Sequence, residues 1–550
     1  QVVLSALGQA SVSIAARRIT RPIMAATIVK RVLSLWAFAS TAGASKPTCA
    51  QVKRAFKQAG CCGAADAGAR EVSLPEDGLH RQGCTSMVAQ NVTAGPIVGG
   101  TLYVYDVDAT GAPHWKHFEG GKPYVDLAVS SIAAGCVPKH KPHMVRPSPD
   151  GKHTAVTYTG DQDFAILKND EHKVIFCPTV DFLKPHVFGG ATHDGAWYGA
   201  GSFLLLDMTG CFDGVCGGVI NRFDFTFDAA GAMTGTSYAS SLGTHGVKEA
   251  RGTTATKPIS LGNNPNGAYA HLFFVTDAKG AGSIMDADDM TWAKHFNVAE
   301  FGDCPTGGLW VEPHPTDEKI VLAQYGAQGD GTAVGHSCLF VVDMATLTMS
   351  LLVELEDNAD AHGLQFCVSG SGQQTVINTN RQTSTLDVIA YPQGQFLLRG
   401  YDMNAQAFNR LNLSFATEGR ARRLASPEDV LQPDVVYLHD GFLYMAARGP
   451  KPVSAVKAQN FRENAHPGLM ALKFEMQTCL PAADQSAAFA LTTLERSPQI
   501  TSDVHGAWGV MSGGRKEIWA VDQAGTGSVQ SYSVYSDCAA YGATDIHDDP

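Results

Sequence analysis

The chain is short of charge. Only 17% of its 550 residues are Asp, Glu, Lys or Arg, and they sum to −12. A nucleic-acid binder needs a basic face to meet phosphate, so this balance argues against a nucleic-acid partner. Uninterrupted apolar stretches are also missing: no run reaches the length of a spanning helix, which predicts no membrane span. HExxH, GxSxG and GxxxxGK[ST] are all absent, removing the usual support for zincin, α/β-hydrolase and P-loop chemistry. "GTSYA" around Ser237 lacks the second glycine of a nucleophile elbow. None of the 13 cysteines stands in a paired CxxC framework, so thiolate zinc sites are not expected. Acidic residues are missing altogether before Asp66.

That last gap points to a leader. Arg17, Arg18, Arg21, Lys30 and Arg31 precede the short apolar run "VLSLWAFAST" and then Ala42-Gly43-Ala44, a small-residue cleavage pattern. Together they read as a secretory signal over residues 1–45, with Met24 a possible start. An acid-poor leader of this kind also serves organelles, so an organelle lumen is the alternative to a secreted or extracytoplasmic location. An oxidising compartment suits the cysteine count, and Cys211 and Cys216 in "GCFDGVCGG" are placed to close a small loop. Residues 46–94 read as a Cys-rich helical module: Cys49, Val52, Phe56 and Ala59 share a helical face that Gly60 terminates.

From residue 95 to 550 the pattern is of short alternating strands and tight turns, in keeping with 57 glycines and 26 prolines. A unit recurs. "KPHMVRPSPDGKHTAVTY" from Lys141 has a relative in "KPHVFGGATHDGAWYGAG" from Lys184, and "DAHGLQFCVSG" from Asp360 has one in "DVHGAWGVMSG" from Asp503. Marking the first strand of each unit at His143, His186, Ile259, Leu309, His362, Asp434 and His505 gives seven units. The shortest step, from His143 to His186, is the length of one four-stranded propeller blade, and longer steps carry insertions such as "NLSFATEGRARRLASPEDV". The expected fold is all-β: a single seven-bladed β-propeller, with six or eight blades as the alternative. The early strands "TLYVYDV" and "HWKHFEG" would complete the last blade and hide its edge.

"SPDGKHTAVTYTGDQDFAIL" and "TVINTNRQTSTLDVIA" resemble the YVTN-type, WD40-like propeller repeat. That resemblance implies architecture and says little about activity, because propellers host enzymes, binders and scaffolds alike.

Residues at matching positions of the innermost strands form a ring around the axis. Four of the seven marks are histidine: His143, His186, His362 and His505. Imidazoles converging on one axis suit a transition metal, Fe or Cu before Zn. Asp360 and Asp503 lie two residues before their histidines, on the same face of an extended strand, where they would orient the rings as second-sphere groups. The plainer account of Asp-x-His-Gly is a turn entering the strand, with Asp capping amides. His193 and His439 precede Asp-Gly and read as rim turn residues. His153, His172 and His314 fall where exposed positions are expected. Lys248, Glu249 and Arg251 near His245 lie on a connection that shapes the upper face. The functions compatible with this pattern are metal-dependent oxidation of a small molecule, non-catalytic binding of a small-molecule ligand or protein partner at a propeller face, and metal-free lactonase-type hydrolysis.

Overall fold

The structure, a computed structural model, describes residues 100–522 apart from several internal segments, the longest being 179–191, 244–257, 404–414, 449–467 and 493–503. The leader and the Cys-rich helical module lie outside the described residues, as do His186, His245, Asp503 and the side chains of Cys211 and Cys216. No helix among the described residues is long and apolar enough to cross a membrane.

Seven antiparallel sheets make a seven-bladed propeller. Their innermost strands are Pro142–Pro147, Thr192–Tyr198, Pro258–Gly262, Gly307–Pro313, Ala361–Val368, Gln432–His439 and Val504–Ser512, which define blades 1 to 7. Each inner strand lies beside the next, and that of blade 7 returns to blade 1. The second strands are continuous runs of β-branched, aromatic and leucine residues, such as "HTAVTY", "SFLLLD" and "LFFVTD", in which every residue is buried because both faces meet a neighbouring blade. Between blades 1 and 2 the contact is a phenylalanine cluster, with Phe164 4.9 Å from Phe223 and 5.2 Å from Phe203 between ring centroids.

Ring closure joins the two ends of the described chain. Thr101–Val107 pairs with Arg515–Asp522 in register Thr101↔Asp522 through Asp106↔Glu517. The outermost place in blade 7 is taken by two short strands, Pro113–Trp115 and Tyr124–Asp126. This exchange consumes the free edges that an open ring would present. A buried carboxylate fastens it: Glu517 accepts from His172 Nε2 at 2.7 Å, from Trp519 Nε1 at 2.8 Å and from Lys116 Nζ. Burial would raise the Glu517 pKa, but these donors outweigh it and the net shift is downward.

The turns follow from sequence. In "SPDG", Ser148 Oγ donates to Asp150 Oδ1, the Gly151 amide bonds Ser148 O, and Gly151 takes a φ of 69° that favours glycine. Three disulfides, Cys136–Cys177, Cys304–Cys338 and Cys367–Cys479, are present among the described residues, as suits an extracellular protein. In the blade 5–6 insertion, a short hairpin pairs Phe415–Thr417 with Arg420–Arg422.

Six of the seven marks read from the sequence fall on inner strands. In the second unit the inner strand begins at Thr192, so His193, and not a rim turn, occupies the ring position. His439 does precede the turn, with Asp440 and Gly441 both at positive φ. His153, His172 and His314 are buried rather than exposed. His153 stacks on Phe227 and bonds Gly231 O, while His314 Nδ1 accepts the Thr316 and Asp317 amides of its own turn.

Candidate functional site

All seven inner strands carry a register shift near the start, at Pro142/Val145, Thr192/Gly195, Pro258/Ser260, Gly308/Trp310, Ala361/Gly363, Pro433/Val436 and Val504/Ala507. A bulge adds a residue to one strand and breaks the two-residue alternation. Residues one and four of the affected stretch can then both face the axis, and the channel acquires two layers.

The first layer is an arc from five consecutive blades. His362 comes from blade 5, Asp434 from blade 6, His505 from blade 7, His143 from blade 1 and His193 from blade 2. The ring centroids of His143 and His505 are 3.8 Å apart, those of His143 and His193 4.1 Å, and those of His362 and His505 5.8 Å. All are buried except His193, which keeps some accessible surface in the channel.

Backbone carbonyls fix two of the rings. His143 Nδ1 lies 2.7 Å from His193 O, and His193 Nδ1 lies 2.8 Å from Ile259 O. A carbonyl only accepts, so each Nδ1 carries the hydrogen and each Nε2 keeps its lone pair. His505 Nδ1 stands 3.0 Å from Asp434 Oδ2, an electrostatic contact. One ring nitrogen from each of His143, His193 and His505 lies within 4.8 Å of the other two. Burial lowers the pKa of His193 to about 4, with the charge on Asp194 opposing, so its imidazole is neutral near pH 7, as a ligand must be.

The flank of the arc is ionic. Arg381, at the end of the second strand of blade 5, donates from Nε to Asp360 Oδ2 at 2.8 Å and from Nη1 to Asp434 Oδ2 at 3.4 Å. The same Nη1 is 3.3 Å from His362 Nε2. His362 Nε2 is also 3.3 Å from Asp434 Oδ1, while its Nδ1 faces Asp360 Oδ1 at 3.6 Å, beyond hydrogen-bond length. Burial, followed by Arg381, depresses the His362 pKa against the pull of Asp434 and Asp360. Burial would raise the Asp360 pKa, yet Arg381 and His362 together bring it below the usual carboxylate value. Asp360 itself holds a left-handed φ of 49°, and its carbonyl accepts the Arg381 amide. With neutral histidines, two carboxylates and one guanidinium leave this layer at net −1.

The glycine of each His-Gly pair makes the layer possible. A Cβ on Gly363 would stand 2.3 Å from Asp434 O, and one on Gly506 would stand 2.7 Å from His143 O. The His therefore sits on the ring while the Gly admits the neighbouring blade carrying the next ring residue.

The second layer takes the residue three positions on in five blades, Arg146, Glu312, Gln365, Tyr437 and Trp508, and the next residue in two, Asp194 and Ser260. Arg146 pairs bidentately with Asp194, by Nε to Oδ1 at 2.8 Å and Nη2 to Oδ2 at 2.6 Å, and Ser260 Oγ donates to the same Oδ2. The guanidinium lies 4.4 Å over Trp310 and 5.4 Å from Trp508. Trp508 is 5.5 Å from Tyr437. Glu312 accepts from Trp310 Nε1 at 3.2 Å and from Gln365 Nε2 at 2.6 Å. Burial pushes its carboxyl up to about 8, with the Trp310 bond and Arg146 opposing. All seven blades contribute to this network.

Of the sequence-derived candidates, the fold thus brings together His143, His362 and His505, with Asp360 beside them. His193, Asp434 and Arg381 were missed as site residues. Asp434 stood at an aligned mark and differed only in not being histidine. Arg381 follows the "TVINTN" strand with no local signal.

No known protein family model matches the chain, and no curated protein sequence does. Among solved structures it is similar to hydrazine synthase from Kuenenia stuttgartiensis, at 11% identity over 63% of this chain and 80% of that one, with a TM-score of 0.37. A likeness that distant carries no argument about function.

Among the described residues, two groupings have the composition of a cation site: His143–His193–His505 and His362–Asp434–His505. They share His505. Only the first is clear of Arg381, whose charge abuts two members of the second.

Proposed function

We propose that this is an exported propeller that holds one transition-metal ion on its axis through His143, His193 and His505 and uses it to oxidise a small molecule. The observation that carries the reading is the convergence of three ring nitrogens from three adjacent blades, two of them with Nδ1 already committed to a backbone carbonyl. That arrangement leaves Nε2 for the ion and fixes the ring planes, as outer partners do in metal sites generally. Asp434 faces Nδ1 of His505 at 3.0 Å. Three imidazoles suit copper, iron or zinc, and three protein ligands leave coordination positions for substrate. A bound copper or iron ion would pass electrons from the substrate to an external oxidant such as dioxygen, and the protein residues would orient it and limit solvent access.

Export draws support from the three disulfides and from the signal-like leader. Of the four histidines read from sequence, His143 and His505 stay in this proposal and His193 joins them; His362 and Asp360 are tied to Arg381, and His186 lies outside the described residues. A lactonase-type hydrolase is less well supported, because both carboxylates near the histidines contact Arg381, which weakens them as general bases.

The test is metal content of the purified chain by mass spectrometry, before and after reconstitution with Cu(II), Fe(II) or Zn(II). About one ion per chain is expected, lost in folded His193→Ala and His505→Ala variants. No ion in the reconstituted wild type would end the proposal.

A further inference from the structure

The second grouping, His362–Asp434–His505, has the donors of a metal site and a guanidinium against two of its three members. Arg381 Nη1 is 3.3 Å from His362 Nε2 and 3.4 Å from Asp434 Oδ2, while Nε of the same side chain bonds Asp360 Oδ2 at 2.8 Å. Arg381 is itself 4% exposed, so its charge is not dissipated into solvent. It reaches the cluster from the second strand of blade 5, whereas the other members come from inner strands or their start.

We infer that Arg381 is a built-in substitute for a second metal ion and fixes the occupancy of the channel at one. The inference rests on the metal reading above and deepens it. His505 is the hinge of the arrangement, since its two nitrogens face different neighbours. Nε2 belongs to the first ion, with His143 and His193. Nδ1 faces Asp434, which Arg381 also contacts. Arg381 thereby holds Asp434 beside Nδ1 of His505, at 3.0 Å. Arg381 is thus a positioning residue for the first ion as well as a bar to a second.

Charge supports the assignment. With Arg381 the layer carries net −1, which one cation held by neutral imidazoles more than compensates. Without Arg381 the layer carries −2, and the vacated space is bordered by His362 Nε2, a carboxylate of Asp434 and the Nδ1 side of His505. Those are borderline donors suited to the same ions as the first site. His362 and Asp434 would then hold the second ion beside Nδ1 of His505.

The experiment is Co(II) stoichiometry on the full chain, by equilibrium dialysis with the visible absorption recorded. Wild type and Arg381→Lys should bind one ion, because lysine keeps a cation among the carboxylates. Arg381→Met should bind two, the second with its own absorption band, and its melting temperature should rise more with added Co(II) than that of wild type. Should Arg381→Met fail to fold, the Arg381→Met, Asp360→Asn double variant removes one stranded carboxylate while retaining the three donors, and it too should bind two. One ion in every folded variant would overturn this inference and leave the one-metal reading standing. Two ions in Arg381→Lys would overturn it as well, by showing that the cation does not bar the site. No ion in wild type would remove both.

Discussion

The close approach at Gly506 yields a prediction that joins packing to the site. A Cβ added there would lie 2.7 Å from His143 O and 3.1 Å from the Met144 Cα. Both obstacles are backbone atoms of blade 1, so no change of rotamer relieves them. Ordinary carbon contacts stand at about 3.5 Å or more, and the two inner strands must separate by roughly 0.5–1 Å. Overpacking of this kind costs about 1–3 kcal/mol. The same displacement moves His143 relative to His505, whose rings are 3.8 Å apart. Metal ligands tolerate about half an ångström of misplacement, so Gly506→Ala should also weaken ion binding by about ten-fold or more. The assay is a urea midpoint together with a competitive Zn(II) titration. Gly513→Ala is the control: Gly513 has a φ of 55° and nothing within 4 Å of the added carbon, so it should lose stability through backbone strain and leave affinity unchanged. If Gly506→Ala matched wild type in both midpoint and affinity, the reading of the His-Gly pair as a blade contact would be wrong.

Two further outcomes are expected. The Cys367–Cys479 bond spans 112 residues and ties the inner strand of blade 5 to the turn after the third strand of blade 6; replacing both cysteines by alanine should cost about 2–5 kcal/mol by loss of the loop constraint, read as a lower urea midpoint than that of oxidised wild type. Glu312 has a folded pKa of about 8 against an ordinary 4.5, so the folded state holds a proton that the unfolded state releases. The stability this contributes is complete below about pH 4.5 and is lost as pH rises to 8, on the order of 5 kcal/mol across that window. Glu312→Gln should flatten this part of the pH profile, and an unchanged slope would show that Glu312 is ionised in the fold.

The sequence by itself determined the propeller, its seven units and its mode of closure. Those depend on local alternation, on turns such as "SPDG", and on a repeat long enough to be seen against its insertions, all of which are written within a few residues of one another. It also placed His143, His362 and His505 on one ring, since descent from a common unit keeps equivalent residues at equivalent places. What it could not give was parity. A bulge in every inner strand shifts which residues face the axis, and that shift depends on how each strand pairs with the next, so the Arg146–Glu312 layer left no mark in the alternation. His193 was misread for a related reason: His-Asp-Gly is turn chemistry by local rules, yet Asp194 spends its carboxylate on Arg146 and Ser260 from two other blades. Arg381 and Asp434 acquire meaning only from neighbours 19 to 71 residues away in the chain, His362 and His505. Side-chain type and spacing are local properties and survive in the sequence, whereas the meeting of charges from separate blades is decided by ring closure, which only the tertiary structure supplies.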